Sequence, residues 1–503
     1  MEKRYPFILF FSLSLFIILG LIRIILFPLN FWVDEMFHVF AAQGLLATGQ
    51  PLLPSGLFYN RSLITSWIVA TSFQIFGISE YAARLPFLLI GAGAILVSYI
   101  LAKEIFDQRV ALVTVLLLAI SPWQIYWSTN ARMYILLQFV YVLFIYFMYL
   151  AWNEGVRHGR INHIRFLSFT GASLVMIALA FQLHDFGILF VGVGVAFLFL
   201  LLWEQILEKV NLGRIRNTTI LFIIVAAGIA ILAFLINPFG MLTPKAGPIG
   251  MQLGEWFYIL FFGRYFPVFG LFAAFALLSF LKRRAGRESL LLIGFFIPLL
   301  LLSLFLDQKN SRYIFFLFPL LVILASYGIT VTWDWYQARK TSATSLVVPL
   351  CIGLLLLMTV IGLIGAVTDD YHPLPYEDPH PHWNDAAAYV GSKLESGDVV
   401  VSTMPVCTLY YLGKTDYWLR QNEYYAFTDE EGIIRDRYTG AIILTDYAMV
   451  ESELSGKNGW LIADRKLESY FTSPDVLSYV GEHMRLVSEG SDDTVRVYRF
   501  EKG

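Results

Sequence analysis

Charge is scarce in this chain. Of its 503 residues only 15% are Asp, Glu, Lys or Arg, whereas 57% are hydrophobic. A soluble domain carries roughly 25% charge, so a wholly soluble protein is excluded. The net charge of −2 leaves no basic excess that would point to nucleic acid. Cysteine is nearly absent as well. Cys351 sits inside an apolar run and Cys407 in the polar C-terminal part, so a disulfide between them is not expected and the redox compartment is not legible. Internal repeats, low-complexity tracts and Gly-rich phosphate loops are missing too.

What is present is a series of long apolar runs from Pro6 to Val367. A bilayer span needs about twenty such residues, and the pattern predicts about 11 transmembrane helices: 6–28, 84–103, 110–122, 134–152, 166–183, 186–203, 218–236, 267–281, 290–306, 313–333 and 346–367. The N-terminal run is too long for a signal peptide and has no A-x-A-like site, so it reads as an uncleaved first span. Residues 1–367 are therefore expected to form a polytopic α-helical membrane domain, 368–384 a Pro-rich linker, and 385–503 a small α/β domain in which helices and strands alternate. The histidines around the linker, His372, His380 and His382, fit a stiff connector better than a metal site.

Sidedness follows from the basic residues. With eleven spans one set of loops holds 16 Lys and Arg and the other 7. The positive-inside rule then places the N-terminus in the cytoplasm and the α/β domain outside the cell membrane. The stretch SLITSWIVATSFQIFG, residues 62–77, would reverse the following loops if it were a span, so an interfacial or re-entrant helix is expected there.

On the outer face the chain keeps charges where charges are costly. Asp34 and Glu35 stand side by side after the first span. Helix capping would explain them; so would a general base or ligand held at the membrane surface. Neighbouring helical residues diverge by about 100°, so only one of the two can face a cavity while the other supports it. His38, four residues after Asp34, shares its face. Arg61, Arg84, Arg132, Lys309 and Arg312 lie at predicted span ends on the same side, with Tyr134 and Tyr313 beside two of them. An arginine at a span end is commonly an anchor. Several converging on one face with two carboxylates resemble a pocket for a phosphate, whose oxygens match the guanidinium fork.

Several stretches occur in an order that is similar to one family: DE after the first span, YNRSLITSW, FGISEYAARLP (76–86), SPWQIYWSTNARMY (121–134), LHDFG (183–187) and SRYIFFLFP (311–319). Residues 1–335 resemble the GT-C superfamily of polyprenyl-phosphate-sugar glycosyltransferases, within it the protein O-mannosyltransferases and lipid A aminoarabinose transferases. The resemblance implies a multi-pass enzyme that moves a sugar, with inversion, from a polyprenyl-phosphate carrier to an acceptor hydroxyl on a protein, lipid or glycan outside the membrane. It implies Asp34 as the catalytic base beside Glu35, and it matches Arg61, Arg132, His184 and Arg312 to positions where relatives keep basic residues or a histidine. Together with Lys309, the arginines Arg61, Arg132 and Arg312 are expected to hold the donor phosphate. The substrate pocket would add His38, Tyr59, Tyr134, His184, Asp185, Arg264 and Tyr313. Relatives often carry a KPP run where Arg61 stands, and some a glutamate in place of Asn60; this chain lacks both. No nucleotide-sugar site is expected.

Two other readings stay open. Asp34, Glu35, Asp185 and Glu255 leave room for an oligosaccharyltransferase- or ligase-like enzyme with a pyrophosphate-linked donor and a divalent metal, although no metal is assigned. A transporter of lipid-linked sugar would place polar groups near mid-span, and here Arg23 is the main such residue.

Overall fold

The computed structural model describes residues 5–27, 29–156, 162–210, 256–281, 288–306, 309–338, 347–368, 380–423 and 425–502. The expected span 218–236, Glu255, most of the basic loops that set the sidedness and much of the linker lie outside them. The contacts divide the chain into two compact units, Met1–Leu26 with Phe87–Pro375, and Phe27–Pro86 with Tyr376–Gly503. Residues 27–86, which hydropathy grouped with the membrane helices, thus fold with the C-terminal residues.

The first unit is helical. Its elements are α1 (Tyr5–Leu26), the greater part of α4 (Glu80–Ile105), α5 (Gln108–Ala119), α6 (Pro122–Ser128), α7 (Met133–Val156), α8 (His163–Leu183), α9 (Gly187–Val210), α10 (Phe257–Tyr265), α11 (Pro267–Leu281), α12 (Ser289–Phe305), a 3₁₀ turn (Ser311–Leu317), α13 (Phe318–Ala338) and α14 (Val347–Thr368). Most expected spans within the described residues coincide with one helix; the third falls on two, and the tenth begins in the 3₁₀ turn. Among the described residues six helices are long and apolar enough to cross a membrane, or eight if each bent pair counts as one. The third expected span is one of those pairs: α5 and α6 meet at 62°, broken at Ser121-Pro122, and α10 and α11 meet at 107° before Pro267. Proline lacks the N–H that would continue the ladder, so each break falls where the sequence removes a donor.

Several polar groups inside this unit pair with one another, which a medium without water favours. Arg23 of α1 is buried, donates to Thr129 Oγ1 at 3.0 Å and to the Ala366 carbonyl, and lies 5.2 Å from the Tyr126 ring centre. It therefore joins α1 to α14 and to the end of α6. Gln124 donates to Gln138 Oε1 (2.8 Å), and Gln138 to the Phe315 carbonyl (3.1 Å). Gly328 lets α13 approach α11 closely: a Cβ there would stand 1.9 Å from the Phe272 carbonyl oxygen.

The second unit is built on an eight-stranded mixed sheet: β1 (Val399–Ser402), β2 (Tyr417–Leu419), β3 (Ala426–Thr428), β4 (Ile434–Asp436), β5 (Ile442–Leu444), β6 (Gly459–Asp464), β7 (Arg485–Val487) and β8 (Val495–Phe500), in the order β3-β4-β5-β2-β1-β6-β8-β7. The four central strands, β5, β2, β1 and β6, run parallel, and antiparallel strands flank them. Strands covered on both faces read as unbroken apolar runs, and all six residues of β6 are buried. One face packs on α17 (Tyr447–Leu454) and α18 (Pro474–His483) through Val450, Leu454, Val476 and Val480. Helices α15 (Trp383–Lys393) and α16 (Pro405–Leu412) pack on each other. The early segment adds α2 (Val33–Thr48) and α3 (Leu63–Phe76) to this unit. Phe37 of α2 stacks on Tyr438 with ring centres 3.8 Å apart, and Ser55 Oγ donates to the Arg437 carbonyl at 2.6 Å.

Candidate active site

The two neighbouring carboxylates meet different fates. Helix α2 begins at Val33, which places Asp34 and Glu35 in its first turn. Glu35 is 0% exposed and Arg84 3% exposed. Arg84 Nε donates to Glu35 Oε1 at 3.0 Å and Nη2 to Oε2 at 2.7 Å, a two-pronged charge-assisted pair. Glu35 Oε2 also accepts the Trp32 N–H at 2.9 Å, the reach-back contact of a helix start. Arg84 further donates to the carbonyls of Leu29 (2.7 Å) and Asn30 (3.2 Å). Asp34 remains on the half-exposed side of the turn. Arg84, read from the sequence as an interfacial arginine, is the residue that separates the two; its signal lay in the AARLP stretch itself.

Next to this pair His38 is buried, with Nδ1 3.1 Å from Ser66 Oγ and its ring edge-on to Tyr59 at 5.4 Å. Burial pushes its imidazole down to about 3, against a raising effect of Glu35 and with a lowering one from Arg61. Arg61 itself is exposed. The following Ser62 has φ +46°, a left-handed conformation uncommon for a residue with a Cβ, and its Oγ lies 2.7 Å from Thr65 Oγ1 at the start of α3. Asp34, Glu35, His38, Tyr59 and Arg61 thus belong to one unit.

The other predicted residues gather in the first unit. Arg132, in the turn before α7, has its guanidinium 5.4 Å from the Tyr134 ring centre, and Arg312 lies 5.9 Å from the same ring and 5.5 Å from Tyr313. Asn310 sets Arg312 at the head of its 3₁₀ turn by accepting the Arg312 N–H at 3.1 Å. The His184 ring is 6.2 Å from Tyr134 and 5.9 Å from Tyr313. Phe186, absent from the sequence reading, closes the group at 4.0 Å from His184 and 5.2 Å from Tyr313. Burial is the main cause that lowers Arg132 to about 10, and Arg312 adds to it. Two cations over one ring make a receptor for a dense negative charge.

Three further predicted residues lie in the same unit. Lys309 donates to the Leu306 carbonyl (2.8 Å), Arg264 is exposed and lies over its own neighbour Tyr265 at 5.6 Å, and Asp185 is exposed. Among the described residues no three of His, Cys, Asp and Glu come together as a metal site.

Residues 60–236 match a family described as dolichyl-phosphate-mannose-protein mannosyltransferase. The fold is similar over nearly the whole chain to ArnT from Cupriavidus metallidurans bound to undecaprenyl phosphate, with 15% identity, 98% of this chain and 97% of that one covered and a TM-score of 0.60. It is also similar to the archaeal oligosaccharyltransferase AglB from Archaeoglobus fulgidus, in complex with an inhibitory peptide and a dolichol-phosphate, with 15% identity, 96% and 74% covered and a TM-score of 0.59. This is the GT-C fold. An uncharacterized protein of Aquifex aeolicus (strain VF5) is 30% identical over 92 residues, 18% of this chain and 18% of that relative. The expectation of a polytopic GT-C membrane domain with an α/β C-terminal domain therefore holds.

Glu35→Gln leaves a buried guanidinium without its counter-charge, and the expected loss of stability is about 3 kcal/mol; thermal unfolding in detergent measures it. His38 is neutral in the folded state and titrates at its ordinary value when unfolded. Its contribution is thus complete above pH ~6.5 and is lost as pH falls from there towards 3. Acidification from pH 6 to pH 5 is expected to lower stability by about 1 kcal/mol through this residue, and His38→Gln should flatten that part of the unfolding-temperature curve.

Proposed function

We propose that the protein is a membrane glycosyltransferase that moves a sugar from a polyprenyl-phosphate carrier to an acceptor hydroxyl on the extracytoplasmic side, with inversion at the anomeric carbon. The observation that carries this reading is the division of labour between the adjacent carboxylates: Glu35 is locked into Arg84, while Asp34 stays half-exposed beside it. A lone hydroxyl is a weak nucleophile at neutral pH, and a carboxylate placed to take its proton as the C–O bond forms contributes about 10²–10⁴-fold. In the same step the bond from the anomeric carbon to the phosphate oxygen breaks, and the charge develops on that phosphate. Phosphate is a good leaving group, so the remaining task is electrostatic.

Arg132 and Arg312 suit that task because both guanidiniums already lie against the Tyr134 ring and need little reorganisation to meet the growing charge. Arg61, exposed on the second unit, is a third candidate cation. The N-terminus is assigned to the cytoplasm and the α/β domain to the outside, from the distribution of Lys and Arg. The family that matches residues 60–236 and the lipid phosphates in the similar structures of ArnT and AglB support the choice of donor class.

Purified wild type and Asp34→Asn, given radiolabelled polyprenyl-phosphate sugars and a membrane extract as acceptor, test the reading. Label transfer is expected to fall at least about 10²-fold in the variant while donor binding is retained; transfer that survives would sink Asp34 as the base. Loss of transfer on chelation would turn the reading towards a metal-dependent enzyme. Arg312→Ala is expected to weaken transfer more than Arg312→Lys, because the fork as well as the charge is lost; equal effects would argue against a phosphate contact.

A further inference from the structure

The stretch GISEYAARLP stood out in the sequence, yet Arg84 and Glu80 within it carry no part of the proposed chemistry. Both instead hold the chain just before Asp34. Arg84 grips the carbonyls of Leu29 and Asn30 and the Glu35 carboxylate. Glu80, the first residue of α4, accepts a hydrogen bond from the Tyr411 hydroxyl, which in turn accepts the Phe31 N–H at 2.8 Å. Burial, then the Glu80 charge, raises the Tyr411 phenol, so it stays protonated and can serve both partners at once.

Tyr411 lies on α16 of the α/β domain, and its neighbours there complete the grip. The Asn30 side chain donates to the Pro381 carbonyl (2.7 Å) and to Asn384 Oδ1 (2.9 Å), and His380 Nδ1 donates to the Asn30 carbonyl at 2.9 Å. The Phe31 ring meets Tyr410 edge-on at 5.3 Å. Residues 29–32 are therefore fixed through backbone and side chain from two directions, one near in sequence and one more than 350 residues away.

We propose that Tyr411 is a positioning residue for Asp34, and that the C-terminal α/β domain acts in catalysis by holding the turn that carries the base. This rests on the reading of Asp34 as the base. A reactive carboxylate displaced by about 1 Å loses up to about 10²-fold in rate, and the turn would otherwise be a surface loop with Asn30, Phe31 and Trp32 free to rotate. The domain thus sets where the proton is taken.

Tyr411→Phe in the full-length protein is the test, with hydrogen exchange and steady-state transfer measured on the same preparation. Exchange in peptides covering residues 29–36 should speed up about tenfold, the effect of losing one buried hydrogen bond, while peptides from β1 and β6 stay unchanged. The kcat for sugar transfer should fall about tenfold with the donor KM kept within about twofold. Asn384→Ala, which removes a different contact, should move both readouts the same way, and it guards against a folding failure particular to Tyr411. Unchanged exchange, or faster exchange with full kcat, overturns the proposal. An inactive Asp34→Asn beside a fully active Tyr411→Phe overturns this proposal alone. Turnover surviving in Asp34→Asn overturns the base reading, and this one with it.

Discussion

A carboxylate and a guanidinium removed together from water lose most of their hydration, and only close, two-pronged geometry compensates. The Glu35–Arg84 pair has that geometry, at 2.7 and 3.0 Å with both partners buried. It fixes the start of α2 within the second unit. The pair joins the first turn of α2 to the first turns of α4 and orders the carbonyls of Leu29 and Asn30. It also buries one of two adjacent acids, while the other, Asp34, stays half-exposed. Such pairs add little net stability, because desolvation offsets attraction; what this one supplies is direction, since Glu35 held inward leaves Asp34 turned the other way.

The first unit uses the same logic in apolar surroundings. Arg23 would be prohibitive in hydrocarbon if unpaired, yet with Thr129, Ala366 and Tyr126 around it the residue becomes a junction of three helices. The Gln124–Gln138–Phe315 chain is a second junction. The residue that looked in the sequence like the exception to one-sided charge is therefore structural, which weakens the case for a polar conduit through mid-membrane.

The positions of most apolar helices were legible in the sequence because bilayer thickness acts on a linear property, the length of an apolar run. The alternation of the α/β domain was legible for a similar reason, since β1 and β6 are short apolar runs between helical segments. The alliance of residues 27–86 with 376–503 was not. It rests on contacts such as Asn30 to Pro381 and Phe37 to Tyr438, which leave no periodic trace in either segment. For the same reason His380 read as part of a stiff linker, and Arg84 as a surface anchor. In the candidate site, Arg132, Tyr134, Arg312 and Tyr313 were read from their place at span ends, with His184 added through resemblance, and the five gather as a group.

Asn30 and Phe31 leave the ribosome some 350 residues before the groups that fix them. Contacts so far apart in sequence form late, after the intervening chain has been made and its loops closed. The membrane helices can therefore insert one by one while the stretch before Asp34 still lacks its final partners. A truncated product, however well inserted, would lack Tyr411, Asn384 and His380. Such an arrangement leaves the stretch before Asp34 without its final contacts until residues 380–411 have been made.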